Sequence, residues 1–232
     1  MKNVLITGDP ERAAQLRKRF MRSGIDWNIE ISDGEEEDFT SFDILFDVNL
    51  DDDPEQLIHY LSLRDKPVFV SALKLSLAEG IYVHGGKVKC KLFGFNALEA
   101  FMDDPVWELS LYRRFERQEA EEILKALGVQ VEIVEDRVGM VKMRVISAII
   151  NEAAWALQEG TASVEDIDKA MQLGTNYPYG PFAWCDRIGI SPVFETLAAL
   201  YEDTRDDRYK ICPLIKRKYL RNESFYKPDR KS

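Results

Sequence analysis

The chain has 232 residues, 45% of them hydrophobic and 31% charged, and its 31 Lys and Arg stand against 41 Asp and Glu for a formal charge of −10. This is the balance of a folded globular protein, long enough for one large domain or two small ones that each bury a core. The charge argues against nucleic acid, a polyanion, as a partner, and no run approaches the ~20 apolar residues needed to cross a bilayer. At the N-terminus Met1-Lys2-Asn3 leads into Val4 to Ile6 and then Gly8, too short an apolar core for a secretory signal, so a cytoplasmic location is expected. The scattered cysteines Cys90, Cys185 and Cys212 suit reduced thiols better than a disulfide framework. His59 and His84 are the only histidines, and without paired Cys/His spacing no zinc site is expected.

Val4 to Gly8 is a β-rich run ending in glycine, and Pro10 opens a helix with apolar positions at Ala13, Leu16 and Phe20. Trp27 to Ile31 reads as a second strand, and Asp33-Gly34-Glu35-Glu36-Glu37-Asp38 as an acidic, solvated loop. Phe42 to Val48 gives a third strand, Pro54 to Arg64 a helix and Pro67 to Ser71 a fourth strand. This alternation predicts a small Rossmann-like unit with a parallel sheet. Ile81 to Val83, Cys90 to Phe95 and Val106 to Leu111 read as further strands, the first two parted by Gly85-Gly86. Glu116 to Leu127 is a helix stopped by Gly128, and Val129 to Val134 a last strand. Beyond Val138 the spacing turns helical, with Val141, Val145, Ile149, Ala153 and Leu157 recurring every four residues until Gly160. Ser163 with Asp166 resembles a capping box, opening a helix that ends near Gly174. The change of pattern between Glu135 and Gly139 divides the chain into domains 1–135 and 136–232.

The second domain is punctuated in a particular order. Asn151-Glu152-Ala153-Ala154 is followed by Glu159-Gly160-Thr161-Ala162-Ser163-Val164-Glu165-Asp166-Ile167-Asp168 and by Met171-Gln172-Leu173-Gly174. Pro178-Tyr179-Gly180-Pro181-Phe182 and Asp186-Arg187-Ile188-Gly189 complete the series. Singly, each piece has an architectural reading: Gly160 and Gly174 as helix C-caps, Ser163 as an N-cap, Pro178 and Pro181 as a rigid turn. Together, from about Asp136 to Leu197, they resemble the C-terminal domain of the 3-hydroxyacyl-CoA dehydrogenase family. The resemblance implies an α/β Rossmann-like N-terminal domain with a shortened parallel sheet. Behind it stands an all-α C-terminal domain of the type found in 3-hydroxyacyl-CoA and 6-phosphogluconate dehydrogenases, through which a homodimer forms. The family reaction is the NAD-dependent oxidation of L-3-hydroxyacyl-CoA to 3-oxoacyl-CoA, in fatty-acid and butanoate metabolism. The tail keeps the family's aromatic pair, as Phe225-Tyr226, but loses the glycines before it, so a different docking is expected.

The segments that carry the family's chemistry diverge. A dinucleotide site needs backbone N–H groups brought close to the pyrophosphate at a helix N-terminus, hence the pattern Gly-x-Gly-x-x-Gly. The turn here is Gly8-Asp9-Pro10-Glu11-Arg12-Ala13. Gly8 keeps the first glycine and Ala13 is tolerable at the third, but Pro10 has no N–H, and Asp9 and Glu11 bring negative charge. Asp33 stands where an acid would bond the adenosine ribose, and reads equally as a solvated charge of the acidic loop. Only Ser32 to Phe42 joins the second and third strands, leaving no room for the helical hairpin with which the family grips CoA.

Against the family's His-Phe-Phe-Asn-Pro this chain has Phe93-Gly94-Phe95-Asn96-Ala97, so Phe93 occupies the position of the histidine base. Glu108 resembles the glutamate that orients that histidine, and Ser71, in Ser71-Ala72-Leu73, keeps one of the family's two serines. In Gly139-Met140-Val141-Lys142-Met143-Arg144, Met143 replaces the substrate-binding asparagine and cannot donate a hydrogen bond. His84 reads as a turn residue or a substitute base, and Lys74 and Lys142 as anion contacts or solvated lysines. The expectation is a 3-hydroxyacyl-CoA dehydrogenase-like protein that is weakly active or inactive. Glu108 and Ser71 would be vestiges of its catalytic site, and Gly8 and Asp33 of its NAD site. The alternative is a non-catalytic homodimer that binds or senses a CoA thioester or another acidic metabolite.

Overall fold

The computed structural model describes residues 1–34, 38–84 and 86–226, so Glu35, Glu36 and Glu37 of the acidic run, and Gly85, lie outside the described residues. The chain divides into two compact units, Met1–Met140 and Val141–Ser232.

In the first unit, β1 (Asn3–Thr7), β2 (Asn28–Ser32), β3 (Ile44–Asp47), β4 (Pro67–Ser71), β5 (Lys91–Phe95), β6 (Val106–Leu111) and β7 (Gln130–Val134) form one sheet. The order is β2-β1-β3-β4-β5-β6-β7. Its helices are α1 (Pro10–Met21), α2 (Leu57–Leu61), α3 (Leu77–His84), α4 (Glu99–Met102) and α5 (Arg117–Ala126). The first four strands run parallel, as the β–α alternation predicts, β5 joins them in the same direction, and the chain then reverses, with β6 antiparallel to β5 and parallel to β7. The link 96–105 holds only the four residues of α4. Parallel returns commonly take a crossover of a dozen or more residues, and this shorter link turns back instead.

Strand residues alternate between the two faces of the sheet. On one face Val4, Ile6, Ile44, Phe46, Phe69, Phe93, Phe95 and Trp107 form a core with Leu16 and Phe20 of α1 and Ile123 and Leu124 of α5. Aromatic rings run across it, Phe46 to Phe69 at 4.6 Å, Phe69 to Phe93 at 4.8 Å and Phe95 to Trp107 at 5.4 Å between centroids. On the other face Leu57, Tyr60 and Leu61 of α2 and Leu77 of α3 are buried. There the Tyr60 hydroxyl donates to Asp47 at 2.9 Å.

Two sequence expectations in this unit are corrected. Ile81 to Val83 belongs to α3 and not to a strand. The Asp136 carboxylate accepts from the N–H groups of Leu77 and Ala78 at 2.7 and 3.0 Å, and the Ser76 hydroxyl from that of Glu79 at 3.1 Å. This capping, largely from a residue far along the chain, overrides the β preference of Ile81 and Val83. The helix expected over Pro54 to Arg64 is a 3-10 turn, Pro54–Gln56, continuing into the short α2, and Asp65 then turns the chain with φ +57°.

The second unit consists of α6 (Lys142–Gln158), α7 (Val164–Thr175), α8 (Pro181–Ile188), α9 (Ile190–Thr204) and α10 (Pro213–Arg221). Ser163 caps α7, its hydroxyl accepting from the Asp166 N–H at 3.1 Å and bonding the Asp166 carboxylate at 2.8 Å. α7 runs through Gly174, the expected C-cap, and stops at Asn176, which takes the left-handed conformation with φ +55°. Asp168, on α7, is buried and accepts from the N–H groups of Phe182 and Ala183, both at 2.8 Å, so it caps α8. Gly180 presses on it, since an added Cβ would lie 2.3 Å from the Asp168 carboxyl carbon. The Pro-Tyr-Gly-Pro-Phe run is thereby explained: glycine for the close approach, proline at the first helical position where no N–H is needed. The tail docks by its aromatics. Asp186 accepts from the N–H groups of Phe225 and Tyr226, both at 2.7 Å, and the Tyr226 hydroxyl donates to Asp168 at 2.9 Å.

Gly180→Ala is expected to destabilise the protein by about 1–3 kcal/mol through overpacking against Asp168. The measurement is the urea midpoint, and an unchanged midpoint would show that the close approach is dispensable. Asp47 supplies a second test. Burial pushes its carboxyl from 3.8 up to about 6, against the opposing hydrogen bonds from the Asn49 N–H and Tyr60. Because the folded value lies above the unfolded one, the folded state holds this proton more tightly. The contribution to stability is complete below about pH 4 and is lost as the pH rises through about 6, a swing of about 3 kcal/mol. Asp47→Asn is therefore expected to gain stability over the parent at pH 7.5, with the gain shrinking toward pH 4.5 in thermal melts. A difference independent of pH would refute this.

Candidate functional site

The chain leaves β1 for β2 on one side, while β3 lies on the other, so the sheet has its topological switch point at the ends of β1 and β3. In open α/β sheets ligands bind in the crevice at such a point, outside the carboxyl ends of the strands. Gly8 leads out of β1 with φ +110°, and a Cβ there would lie 2.7 Å from the Asn49 Cβ, so the loop after β3 rests directly on the turn. Asp9 is the N-cap of α1, and its Oδ1 accepts from the N–H groups of Glu11 and Arg12 at 3.0 and 2.9 Å.

Arg12 reaches across the switch point, donating to the Val48 carbonyl at 3.4 Å and to Asp52 at 3.1 Å. Asp52 also pairs with Lys74. Burial alone would raise its carboxyl, yet Lys74 and Arg12 hold it below the usual range. Asp51 lies beside it and accepts from the N–H groups of Leu73 and Lys74, at 2.8 and 2.7 Å for Oδ1. Burial nevertheless raises the Asp51 carboxyl. The Ser71 hydroxyl accepts from the Asp51 N–H at 3.1 Å. The crevice is thus lined with carboxylates bound to the chain's own cations and N–H groups.

The residues singled out in the sequence fall as follows. Gly8 is at the switch point, and Asp33 follows β2 directly, exposed, next to Gly34, which packs against Thr7 at the end of β1. Ser71 is 2% exposed at the end of β4, and Met143 is wholly buried in α6. Phe93 is wholly buried among the aromatic rings. In the β5–β6 register Phe93 pairs with Leu111 and Gly94 with Ser110, which puts Glu108 on the opposite face of the sheet from Phe93. The structure does not bring Glu108 and position 93 together. His84 ends α3, Lys74 is engaged by Asp52, and Lys142 opens α6. Sequence reasoning missed Arg12, Asp47, Asp51, Asp52 and Tyr60. The one visible signal is the run Asp51-Asp52-Asp53 directly after a strand.

Elsewhere in the first unit a cavity of about 320 Å³ lies at the ends of β6 and β7, lined by Arg114, Arg117, Glu135 and Asp136. Its arginines are paired with Glu135 and Glu121. Among the described residues no cluster of His, Cys, Asp and Glu could hold a metal ion, and no helix is long and apolar enough to cross a membrane.

Residues 139–230 match the family model described as 3-hydroxyacyl-CoA dehydrogenase, C-terminal domain. The 3-hydroxyadipyl-CoA dehydrogenase of Escherichia coli K12 is 42% identical over 97 residues, 42% of this chain and 20% of that protein. The 3-hydroxybutyryl-CoA dehydrogenase of Bradyrhizobium diazoefficiens is 38% identical over 96 residues, 41% of this chain and 33% of that protein. The matched stretch therefore spans a third or less of these relatives. In fold the likeness is wider. The crystal structure of Mycobacterium tuberculosis FadB2 covers 98% of this chain and 99% of its own, with a TM-score of 0.82 at 16% identity. That of (S)-3-hydroxybutyryl-CoA dehydrogenase PaaH1 from Ralstonia eutropha covers 95% and 94%, with a TM-score of 0.71 at 19% identity. The helical second unit thus matches the C-terminal domain of the 3-hydroxyacyl-CoA dehydrogenase family, and the chain as a whole shares the fold of these solved structures.

Proposed function

We propose that this protein is a 3-hydroxyacyl-CoA dehydrogenase family member with little or no dehydrogenase activity, acting as a binding homodimer. The observation that carries the reading is Phe93. A base must reach the substrate hydroxyl and have an accessible pKa, and this side chain is wholly buried, packed against Phe69 and without proton chemistry. Glu108 on the opposite face cannot orient a group at that position, and the Ser71 hydroxyl is already engaged by the Asp51 N–H. Met143, buried in α6, offers no donor where the family has an amide.

Self-association of the second unit is supported by its surface. Val141 and Val145 on α6 are 53% and 45% exposed. One turn further along, an apolar groove of about 410 Å³ is lined by Ala148, Ile149, Ala153, Ala156, Ile167 and Met171. A monomeric protein seldom leaves such a continuous apolar stripe in water, and a second copy of the same helices would match it in chemistry.

The test is NADH consumption with acetoacetyl-CoA, run beside the Escherichia coli 3-hydroxyadipyl-CoA dehydrogenase. A positioned general base contributes roughly 10²–10⁴-fold, so kcat/KM is expected to lie at least that far below the reference enzyme. Turnover within tenfold of the reference would sink the proposal. Sedimentation equilibrium should give a dimer that Ile149→Glu dissociates.

A further inference from the structure

The family's cofactor does not fit the residues at the switch point, and the misfit goes beyond the loss of a base. We propose that the anion site at the N-terminus of α1 is filled by the chain's own Asp9 carboxylate, so that the first unit excludes a dinucleotide pyrophosphate. A helix N-terminus attracts anions because its first N–H groups lack partners within the helix and its dipole is positive there. From Pro10 onward these donors are accounted for. Pro10 has none, the N–H groups of Glu11 and Arg12 go to Asp9 Oδ1, and that of Ala13 goes to the Asp9 carbonyl at 2.9 Å. A phosphate would have to displace a carboxylate that is covalently part of the same turn and therefore always at hand.

The surroundings oppose that displacement. The cation nearest the turn, Arg12, is held by Asp52 and the Val48 carbonyl, and Lys74 by Asp52, so neither is left to meet a second anion. Asp47 and Asp51 add two more carboxyl groups at the ends of the same strands, whereas a pyrophosphate diester carries two negative charges. The turn itself is tightly packed as well. The loop after β3 lies against Gly8 so closely that not even a methyl group fits between them, with Asn49 Cβ 2.7 Å from the place it would take. These features are independent of position 93. Restoring a histidine there would leave the turn unchanged.

Two titrations test this. In the full-length wild-type protein, NADH fluorescence is expected to show no saturable binding up to about 1 mM. Saturable binding at micromolar NADH, competed by ADP-ribose, would overturn the inference whatever the fate of any variant. If such binding came without turnover, the proposed function would stand while this inference fell; turnover would overturn both. In the second arm Asp9→Gly, a substitution that costs a helix cap only a few tenths of a kcal/mol, frees two N–H donors. Magnesium-free inorganic pyrophosphate is expected to raise the melting temperature of the variant by a few degrees, and to leave the wild type unmoved at matched ionic strength. An equal response of the two proteins, or none in a folded variant, would overturn the assignment of Asp9 as the occupying anion.

Discussion

A carboxylate that accepts two consecutive backbone N–H groups is the interaction on which both units are built. Asp9 holds Glu11 and Arg12, Asp51 holds Leu73 and Lys74, Asp136 holds Leu77 and Ala78, Asp168 holds Phe182 and Ala183, and Asp186 holds Phe225 and Tyr226. Asp9, Asp136 and Asp168 cap helices, Asp51 fixes the loop beyond β4, and Asp186 fixes the tail. Hydrogen bonds to a charged group contribute about 1.5–3 kcal/mol where the donors are shielded from water, as that of Phe182 is, and less where water can replace the acceptor, as at Glu11. Part of the chain's acidity is therefore structural.

The same device shows where partner charge outweighs partner number. Asp51 and Asp136 each accept two N–H bonds, yet burial still raises both carboxyls, so the donors do not fully replace the lost water. Asp52 is half-buried and lowered, because Lys74 and Arg12 bring full positive charges. The switch point is thus a cluster of acids held by local cations and backbone dipoles, with no excess of positive charge. A site of that composition suits a stable turn and resists an incoming polyanion.

How far the sequence could be read follows from how local each determinant is. The capping box at Ser163, the four-residue spacing along α6 and the β–α alternation up to β4 involve near neighbours, and they are present as expected. The strand expected at Ile81–Val83 became α3 because its cap, Asp136, lies at the far end of the unit. The end of α7 moved past Gly174 because Asn176 can take the left-handed conformation that glycine usually supplies. In the candidate site, the negative charge at Asp9 was legible, but its role as a cap was not. The face of Glu108 depended on the β5–β6 register, which linear spacing does not set.

This distribution of determinants also explains what the match of the second unit to the family model rests on. The punctuated residues that identify the second unit have structural work inside it: Asp168 and Gly180 form the joint between α7 and α8. Asn151 bridges to the Lys210 carbonyl and the Cys212 N–H at 3.0 and 2.9 Å, and Asp186 anchors the tail. They keep the helices in place with or without catalysis. A base, an orienting acid and an open anion site make no such demand on the fold. In this chain Phe93 belongs to the aromatic core and Asp9 caps a helix. A side chain absorbed into packing in this way is not freely exchanged for a polar one, since a histidine at position 93 would have to leave a cluster of phenylalanines to reach water.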